Sequence, residues 1–544
     1  MGRKPMQAPH TVGSSNSSSS SSSGGGGGAN ESSVAGCALL VAGTTVGAGV
    51  LALPAVTAPA GFGATAVALS AGSCYSIVTG LLLAEVTINM ISSRNADAAE
   101  SSSSSEQPPT SLTSIAVALI GGGGAVAVAV PYLFLHYSML VAYIAKAGDV
   151  LGDWTGLPVA PAALLFTCGL GGAVYVLPDG GVDRLNGALV AMVGASFLGL
   201  LAVAGSDIDP ARLGTAHWGA VVPALPIIAL SFVYQNVVPV VVQRLGRDPA
   251  KVTSAIVLGM AGPLIMFLLW DGAVIGSAPS GSYIDDASAL AAAGGDPLQA
   301  LRDNDPVAGL LIEVFAMGAV ATSFLGFVLS ITEYLGDMAA TAGGSATCAT
   351  PEATADATTG ATGATTGTTT GAAGGAGAAA ATTATVATVA TVATPGATGA
   401  TGATSFAAGT TPEGRVAAEA EAQQGARQRN GHEARPPIAA PLVVPRFALY
   451  AAVLLPPLCI ALVNPGAFLG ALEYAGTYGV LSLFGVLPPV LAWLQRYGSS
   501  DGVPPAAGRV EMVPGGRPML VAVGACGAAV IANQAHIHLT QLAV

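Results

Sequence analysis

Apolar residues along this chain gather into long runs, separated by short stretches rich in polar residues, proline and glycine. The runs lie near 34–60, 63–90, 116–147, 160–178, 184–205, 219–242, 252–277, 307–335, 446–464, 467–494 and 518–541. A helix crosses a bilayer's hydrocarbon core with about 20 mostly apolar residues. Each run is long enough to do so, and the pattern predicts an all-α, polytopic membrane protein with about eleven transmembrane helices. The run 160–178 is short and glycine-rich, and the last run contains His536 and His538. The run 116–147 exceeds one crossing and has room to begin ahead of the bilayer, at Gly121 to Gly124.

Two stretches fall outside this pattern. Residues 1–33 form a Ser- and Gly-rich tail with Arg3 and Lys4 as its only basic charges. With no apolar core the tail is not a secretory signal. Its serines, and the absence of acids before Glu31, weakly resemble a transit peptide, but a disordered tail is the simpler reading. Residues 339–438 form an Ala/Thr/Gly-rich loop with Phe406 as the only aromatic and no Leu or Ile before residue 438. Such a segment buries too little area to offset its ordering entropy and is expected to be a disordered insertion. The transporter-like parts are then 34–338 (runs one to eight) and 439–544 (runs nine to eleven).

Composition narrows the function. Of 544 residues, 52% are apolar and 9% charged, with mean hydropathy +0.65. Soluble domains carry about a quarter charged residues, so the composition argues against a soluble enzyme or coiled coil. Net charge is −12 with no basic block, which leaves nucleic acid no electrostatic footprint. Six scattered cysteines suggest neither a disulfide framework nor a metal site. The 18 Lys and Arg residues then test the span count. With the N-terminus cytoplasmic, or stromal if the membrane is a plastid envelope rather than a plasma membrane, only Lys146, Arg212 and Arg302 fall on the opposite side. An error in the number of spans would scramble that asymmetry.

Helix-breaking residues then point to a site. The first run contains Gly43-Thr44-Thr45-Val46-Gly47-Ala48-Gly49-Val50-Leu51-Ala52-Leu53-Pro54. Three glycines followed by a proline are poor material for a continuous helix. Unwound backbone at membrane depth survives where it lines a cavity or is buried in protein, and the amides freed there suit a carboxylate. Gly43-x-x-x-Gly47 is equally a motif for close helix packing. The sixth run repeats the feature: Pro223 and Pro226 open it, and Ser231-Phe232-Val233-Tyr234-Gln235-Asn236-Val237-Val238-Pro239 interrupts it. Breaks at matching positions of two five-helix halves point to an inverted-repeat transporter. A channel would need a selectivity ring, and an embedded enzyme clustered His and carboxylates; neither pattern is present. The glycine strings lack a phosphate loop's Lys-Ser or Lys-Thr, so no nucleotide, other cofactor or metal is expected.

The first-helix string resembles that of the tryptophan/tyrosine permeases. Leu83-Ala84-Glu85-Val86, Ala142-Tyr143-Ile144-Ala145 and Thr322-Ser323-Phe324-Leu325-Gly326 are similar to that family's second, third and eighth helices. The resemblance implies the amino acid–polyamine–organocation fold, a five-plus-five inverted repeat plus one helix with helices 1 and 6 discontinuous. It also implies proton-coupled symport of an aromatic amino acid, tyrosine or tryptophan, with sodium as the other possible coupling ion. Export, or transport of another small amino acid or solute, is the alternative reading. The sixth helix departs from the bacterial pattern at Tyr234-Gln235-Asn236. Residues expected at the substrate are Thr44, Gly47, Ala48, Gly49, Tyr143, Phe232, Tyr234, Gln235, Asn236, Thr322 and Ser323.

Titratable groups inside the membrane are functional candidates by default. Glu85 and His136 are the coupling candidates. Glu85, with Asn89 a turn later, reads either as a proton-responsive carboxyl or as a cytoplasmic-side gate or a helix-end carboxylate hydrated from the interface. Tyr132, His136 and Tyr143 share one helical face, where aromatic rings suit an aromatic substrate and His136 equally serves as a helix–helix hydrogen-bond partner. Lys146 and Asp149 are expected to pair at the outer rim, and Ser323, Gly326, Ser330 and Glu333 to follow one face of helix eight. His536-x-His538 is expected to be a hydrated terminus.

Overall fold

The computed structural model describes residues 33–47, 49–101, 111–205, 208–277, 306–342, 445–498 and 509–542. The described residues are helical, joined by short turns, with no strand among them. Ten helices are long and apolar enough to cross a membrane, and Val34–Thr45 is a shorter apolar helix. The ten include one stretch, Gly49–Ser93, that carries two elements. Helix α2 (Gly49–Thr57) ends in a single tight turn, and α3 (Gly61–Ser101) begins at Gly61 with φ of 73°. A side chain at Gly61 would run into Thr215, so glycine both permits the left-handed backbone and admits the neighbouring segment. With α1 (Val34–Thr45) and α2 taken as two halves of one interrupted pass, the helices correspond to the eleven runs. The tail 1–32 and most of the 339–438 loop lie outside the described residues.

The remaining elements follow the sequence runs closely. Helix α4 (Leu112–Ile120) opens with a reciprocal Ser111/Ser114 capping box and stops at Gly121, whose φ is 77°. Helix α5 (Gly122–Thr155) then starts afresh, so the third run is two helices rather than one long one. Helices α6 (Val159–Val176), α7 (Asp179–Ala204) and the short α8 (Pro210–Leu213) precede the sixth pass. That pass is divided into α9 (Val221–Ser231), a tight turn Gln235–Val237, and α10 (Val238–Arg244). Then come α11 (Pro249–Ser277), α12 (Pro306–Ala342), α13 (Arg446–Val463) and α14 (Phe468–Tyr474). A π-helical segment (Ala475–Val486) joins α14 to α15 (Leu487–Tyr497), and α16 (Gly516–Leu542) ends the described chain.

The two interrupted passes lie at the centre. Helix α1 packs along α11, and α2 packs against α9 and α11; α5 and α7 both pack on α12. The π segment widens the backbone beside α5, α9 and α16. It comes so close to α9 that a side chain at Gly476 would overlap the carbonyl of Pro226. Leu, Val and Phe side chains of these central elements are almost wholly buried, whereas α13 and α16 expose large apolar residues such as Phe447, Val463, Val521 and Leu539. An apolar exterior of this kind is what a bilayer solvates.

Candidate functional site

Both breaks are present as backbone features. Helix α1 stops at Thr45 because Val46 turns extended (φ −80°, ψ 108°), its N–H still held by the Ala42 carbonyl at 3.1 Å. Helix α2 restarts at Gly49, with the Val50 N–H on the Gly47 carbonyl at 3.2 Å. Ala48 lies outside the described residues. In the other pass, α9 ends at Ser231, and Pro239, which lacks an N–H, takes the second position of α10, where none is needed. Each helix end leaves carbonyls or amides without intrahelical partners. The C-terminus of α1 and the N-terminus of α2 therefore offer acceptors and donors within a few residues of each other.

Four elements converge on this point. A β-carbon on Gly49 would lie 3.1 Å from Ser231 Oγ, at the end of α9, and one on Gly47 would lie 3.5 Å from Ser323 Oγ on α12. Ser323 is hydrogen-bonded to the hydroxyl of Tyr143 on α5. The Tyr143 ring meets Phe327 edge-on at 5.6 Å, and Phe327 meets His136 at 4.9 Å. His136 in turn lies 3.9 Å from Tyr132, which reaches Tyr334 at 4.7 Å. The His136 Nδ1 is 2.8 Å from the Tyr132 carbonyl oxygen one turn back. The face 132–136–143 of α5 is thus an aromatic column packed on α12, with its Tyr143 end at the Gly47 break.

Other candidates are held elsewhere. The hydroxyls of Thr44 and Thr322 donate to carbonyls of their own helices, Leu40 at 2.8 Å and Ala319 at 3.0 Å. Phe232 is buried against Phe267 of α11, with ring centres 5.1 Å apart. Tyr234 and Gln235 turn towards α3. The Tyr234 hydroxyl donates to the Ser76 carbonyl at 3.1 Å, and Gln235 Nε2 donates to Ser76 Oγ at 2.9 Å and Thr79 Oγ1 at 3.1 Å. Buried polar groups must find partners, and α3 supplies them; only a glycine at position 80 leaves room for the Tyr234 hydroxyl. Asn236 is exposed. A cavity of about 310 Å³ between α3, α9, the π segment and α16 touches this turn at Gln235. It shares no lining with Gly47, Gly49, Tyr143 or Ser323.

Glu85 is fully buried and paired. Its carboxylate accepts from Arg496 Nε and Nη2, both at 2.6 Å, and from the Met512 N–H at 2.8 Å. Arg496 also donates to the Val513 carbonyl at 3.0 Å. A turn along α3, Asn89 bonds Gln495 and both the N–H and the carbonyl of Val510. This network joins α3, α15 and the strap 509–513. It leaves Glu85 neither hydrated from the interface nor alone in an apolar pocket. Lys146 Nζ lies over the Phe468 ring at 5.6 Å. Near residue 540 the expectation of a hydrated terminus holds for His536, which is exposed, and is corrected for His538, which is buried between the Tyr478 hydroxyl (3.0 Å) and Glu473 Oε1 (3.2 Å). The aromatic rings of α14 and the π segment shield it there. Among the described residues no cluster of three metal-ligating side chains occurs.

Sequence reasoning passed over Arg496, which lies at the end of a run and reads there as an interfacial anchor. It also passed over Asp271, a fully buried acid in α11, although an acid inside an apolar run is itself a signal.

Comparison with known proteins agrees with this architecture. Tyrosine-specific transport system 2 of Haemophilus influenzae is 31% identical over 321 residues, covering 56% of this chain and 73% of that protein. Tryptophan-specific transport proteins of Pseudomonas aeruginosa and Haemophilus influenzae are each 27% identical, over 329 and 332 residues, with 56% of this chain covered and 72% and 74% of theirs. The profile of the tryptophan/tyrosine permease family matches residues 30–344 and 443–534. With two interrupted helices meeting at the centre of an all-helical membrane bundle, the chain belongs to the tryptophan/tyrosine permease family, as an integral multi-pass amino-acid transport protein.

Proposed function

We propose that this protein is a secondary transporter that takes up an aromatic amino acid, tyrosine or tryptophan, together with a proton. One observation carries the reading: Gly47 and Gly49, at the break between α1 and α2, face Ser323 and Ser231 with Tyr143 and Phe327 alongside. The backbone amides at the start of α2 suit the substrate's carboxylate, and the carbonyls ending α1 suit its ammonium. Tyr143 and Phe327 supply rings for an aromatic side chain. The names of the relatives, tyrosine- and tryptophan-specific, support the same substrate class. The uneven distribution of Lys and Arg supports an N-terminus on the cytoplasmic side. Glu85 and Arg496 then close the cytoplasmic end as a gate clasp.

The test is uptake of labelled tyrosine, tryptophan and leucine into proteoliposomes under an imposed pH or sodium gradient. Accumulation of tyrosine or tryptophan under an inside-alkaline gradient is the expected result. Accumulation driven by sodium alone would overturn proton coupling, and preference for leucine would overturn the aromatic substrate.

A further inference from the structure

Asp271 is an intramembrane acid that the site described above does not use. It lies on α11 less than two turns before Ser277 and is wholly buried. Its Oδ2 is 3.1 Å from Thr57 Oγ1, the last residue of α2. The same Thr57 hydroxyl lies 2.7 Å from the Leu53 carbonyl oxygen. A hydroxyl has one hydrogen to donate, and the Leu53 carbonyl is an acceptor only. If Thr57 donates to Leu53, the contact with Asp271 is a hydrogen bond only when the carboxyl itself carries a proton and donates it to Thr57. If Asp271 is ionised, Thr57 must turn its hydrogen to the carboxylate, and the Leu53 contact is lost. Both contacts are full two-centre hydrogen bonds together only with a proton on Asp271. The other carboxyl oxygen, Oδ1, has no hydrogen-bond partner among the described residues, a place where a buried carboxylate is costly.

Charged neighbours among the described residues do not replace that proton. Helix α2 and the turn after it contribute no ionisable side chain. Helix α3 places Phe62 beside Gly272, and its Glu85 is 23 residues further on, roughly 35 Å along the helix. Helix α7 presents Phe197 to Trp270; its Asp183 and Arg184 lie about 20 Å back along that helix. On α8, buried Arg212 donates through Nε to the Ile275 carbonyl at 3.2 Å, one turn beyond Asp271. In the segment after α8, His217 is exposed and bonds the Ala60 carbonyl through its backbone. Arg244 and Cys37 sit at the opposite end of α11, beside the start of α1. Glu313 of α12 accepts from Trp154 Nε1 at 2.6 Å.

The position also connects to the substrate break. Trp270, the residue before Asp271, donates Nε1 to the Val50 carbonyl at 3.0 Å. Consecutive residues of α11 therefore hold the first and last turns of α2, the half-helix that begins at Gly49.

We propose that Asp271 carries the coupled proton, holding it while α2 is seated on α11 through Thr57 and releasing it when α2 moves away. The proposal rests on the proton-driven reading above. It is tested with wild type, Asp271→Asn and Thr57→Val in proteoliposomes with labelled tyrosine and tryptophan. Wild type accumulates one of them under an inside-alkaline gradient. Asp271→Asn still exchanges labelled for unlabelled substrate, but its inside-to-outside ratio falls to about one, because a group that cannot change protonation has no differential affinity for the proton across the cycle. Accumulation by Asp271→Asn in the presence of a driven wild type overturns the role of Asp271 alone. A wild type that exchanges substrate but ignores the pH gradient overturns the proton-driven reading, and the proposal with it. Thr57→Val keeps the carboxyl and removes its partner, and serves where Asp271→Asn does not insert. The pH midpoint of its driven uptake is expected to shift by about one unit, tenfold in proton concentration; an unchanged midpoint overturns the proposal.

Discussion

Removing the charge at Glu85 tests the clasp most directly. In Glu85→Gln, the amide oxygen is best kept at the Oε2 position, where Arg496 Nη2 and the Met512 N–H converge at 2.6 and 2.8 Å. The new NH₂ group then faces the Arg496 Nε–H across 2.6 Å, donor against donor. One charge-assisted hydrogen bond is lost, and a guanidinium whose side chain is 3% exposed loses its counter-ion. Glu511, at 3.7 Å and 57% exposed, is too well solvated to replace it. Breaking a buried pair by neutralising one member costs about 3–5 kcal/mol. Replacing both members with apolar residues of similar size, as in Glu85→Leu with Arg496→Met, removes the uncompensated charge and should recover most of that loss. The assay is a double-mutant cycle of Glu85→Leu, Arg496→Met and the two together, read by thermal unfolding of the purified protein in detergent. The expected coupling energy is about 3 kcal/mol. Single variants with near wild-type unfolding, adding without coupling in the double variant, would refute the clasp.

Other outcomes follow from the same geometry. Gly49→Val should abolish binding of labelled substrate while membrane insertion persists, because its β-carbon would already sit 3.1 Å from Ser231 Oγ; equilibrium binding to purified protein checks this. Tyr234→Phe removes only the bond to the Ser76 carbonyl, so it should lower stability by about 1 kcal/mol and leave uptake near wild type. Loss of substrate affinity would instead return Tyr234 to the substrate site. Deleting residues 346–435, which fall between the two family-matched segments, should leave the initial uptake rate within about threefold, since the segment lacks the apolar area to form a core. Abolished uptake with normal insertion would refute its reading as an insertion.

The sequence by itself determined the architecture. Unbroken runs of about 20 apolar residues satisfy their backbone in a bilayer as spanning helices, and glycine and proline near Gly47 and Pro239 are legible because they act on the backbone of their own segment. Gly47, Gly49, Tyr143 and Ser323, all named within the family strings, lie near one another at the α1–α2 break. What the sequence left undetermined is which polar side chains turn towards one another. Tyr234 and Gln235 follow a helix break as a substrate-facing pair would, yet α3 provides Ser76, Thr79 and the space over Gly80 that hold them. Glu85 stands alone in its run, and only the packing of α15 against α3 brings Arg496 to it across 411 positions. Asp271 and Thr57 are likewise 214 residues apart. Local pattern fixes where a chain bends and which segments enter the bilayer. Partners for buried charges and hydroxyls are chosen by helices that meet only when the bundle assembles, and that choice pairs Glu85 with Arg496 and sets Asp271 against Thr57.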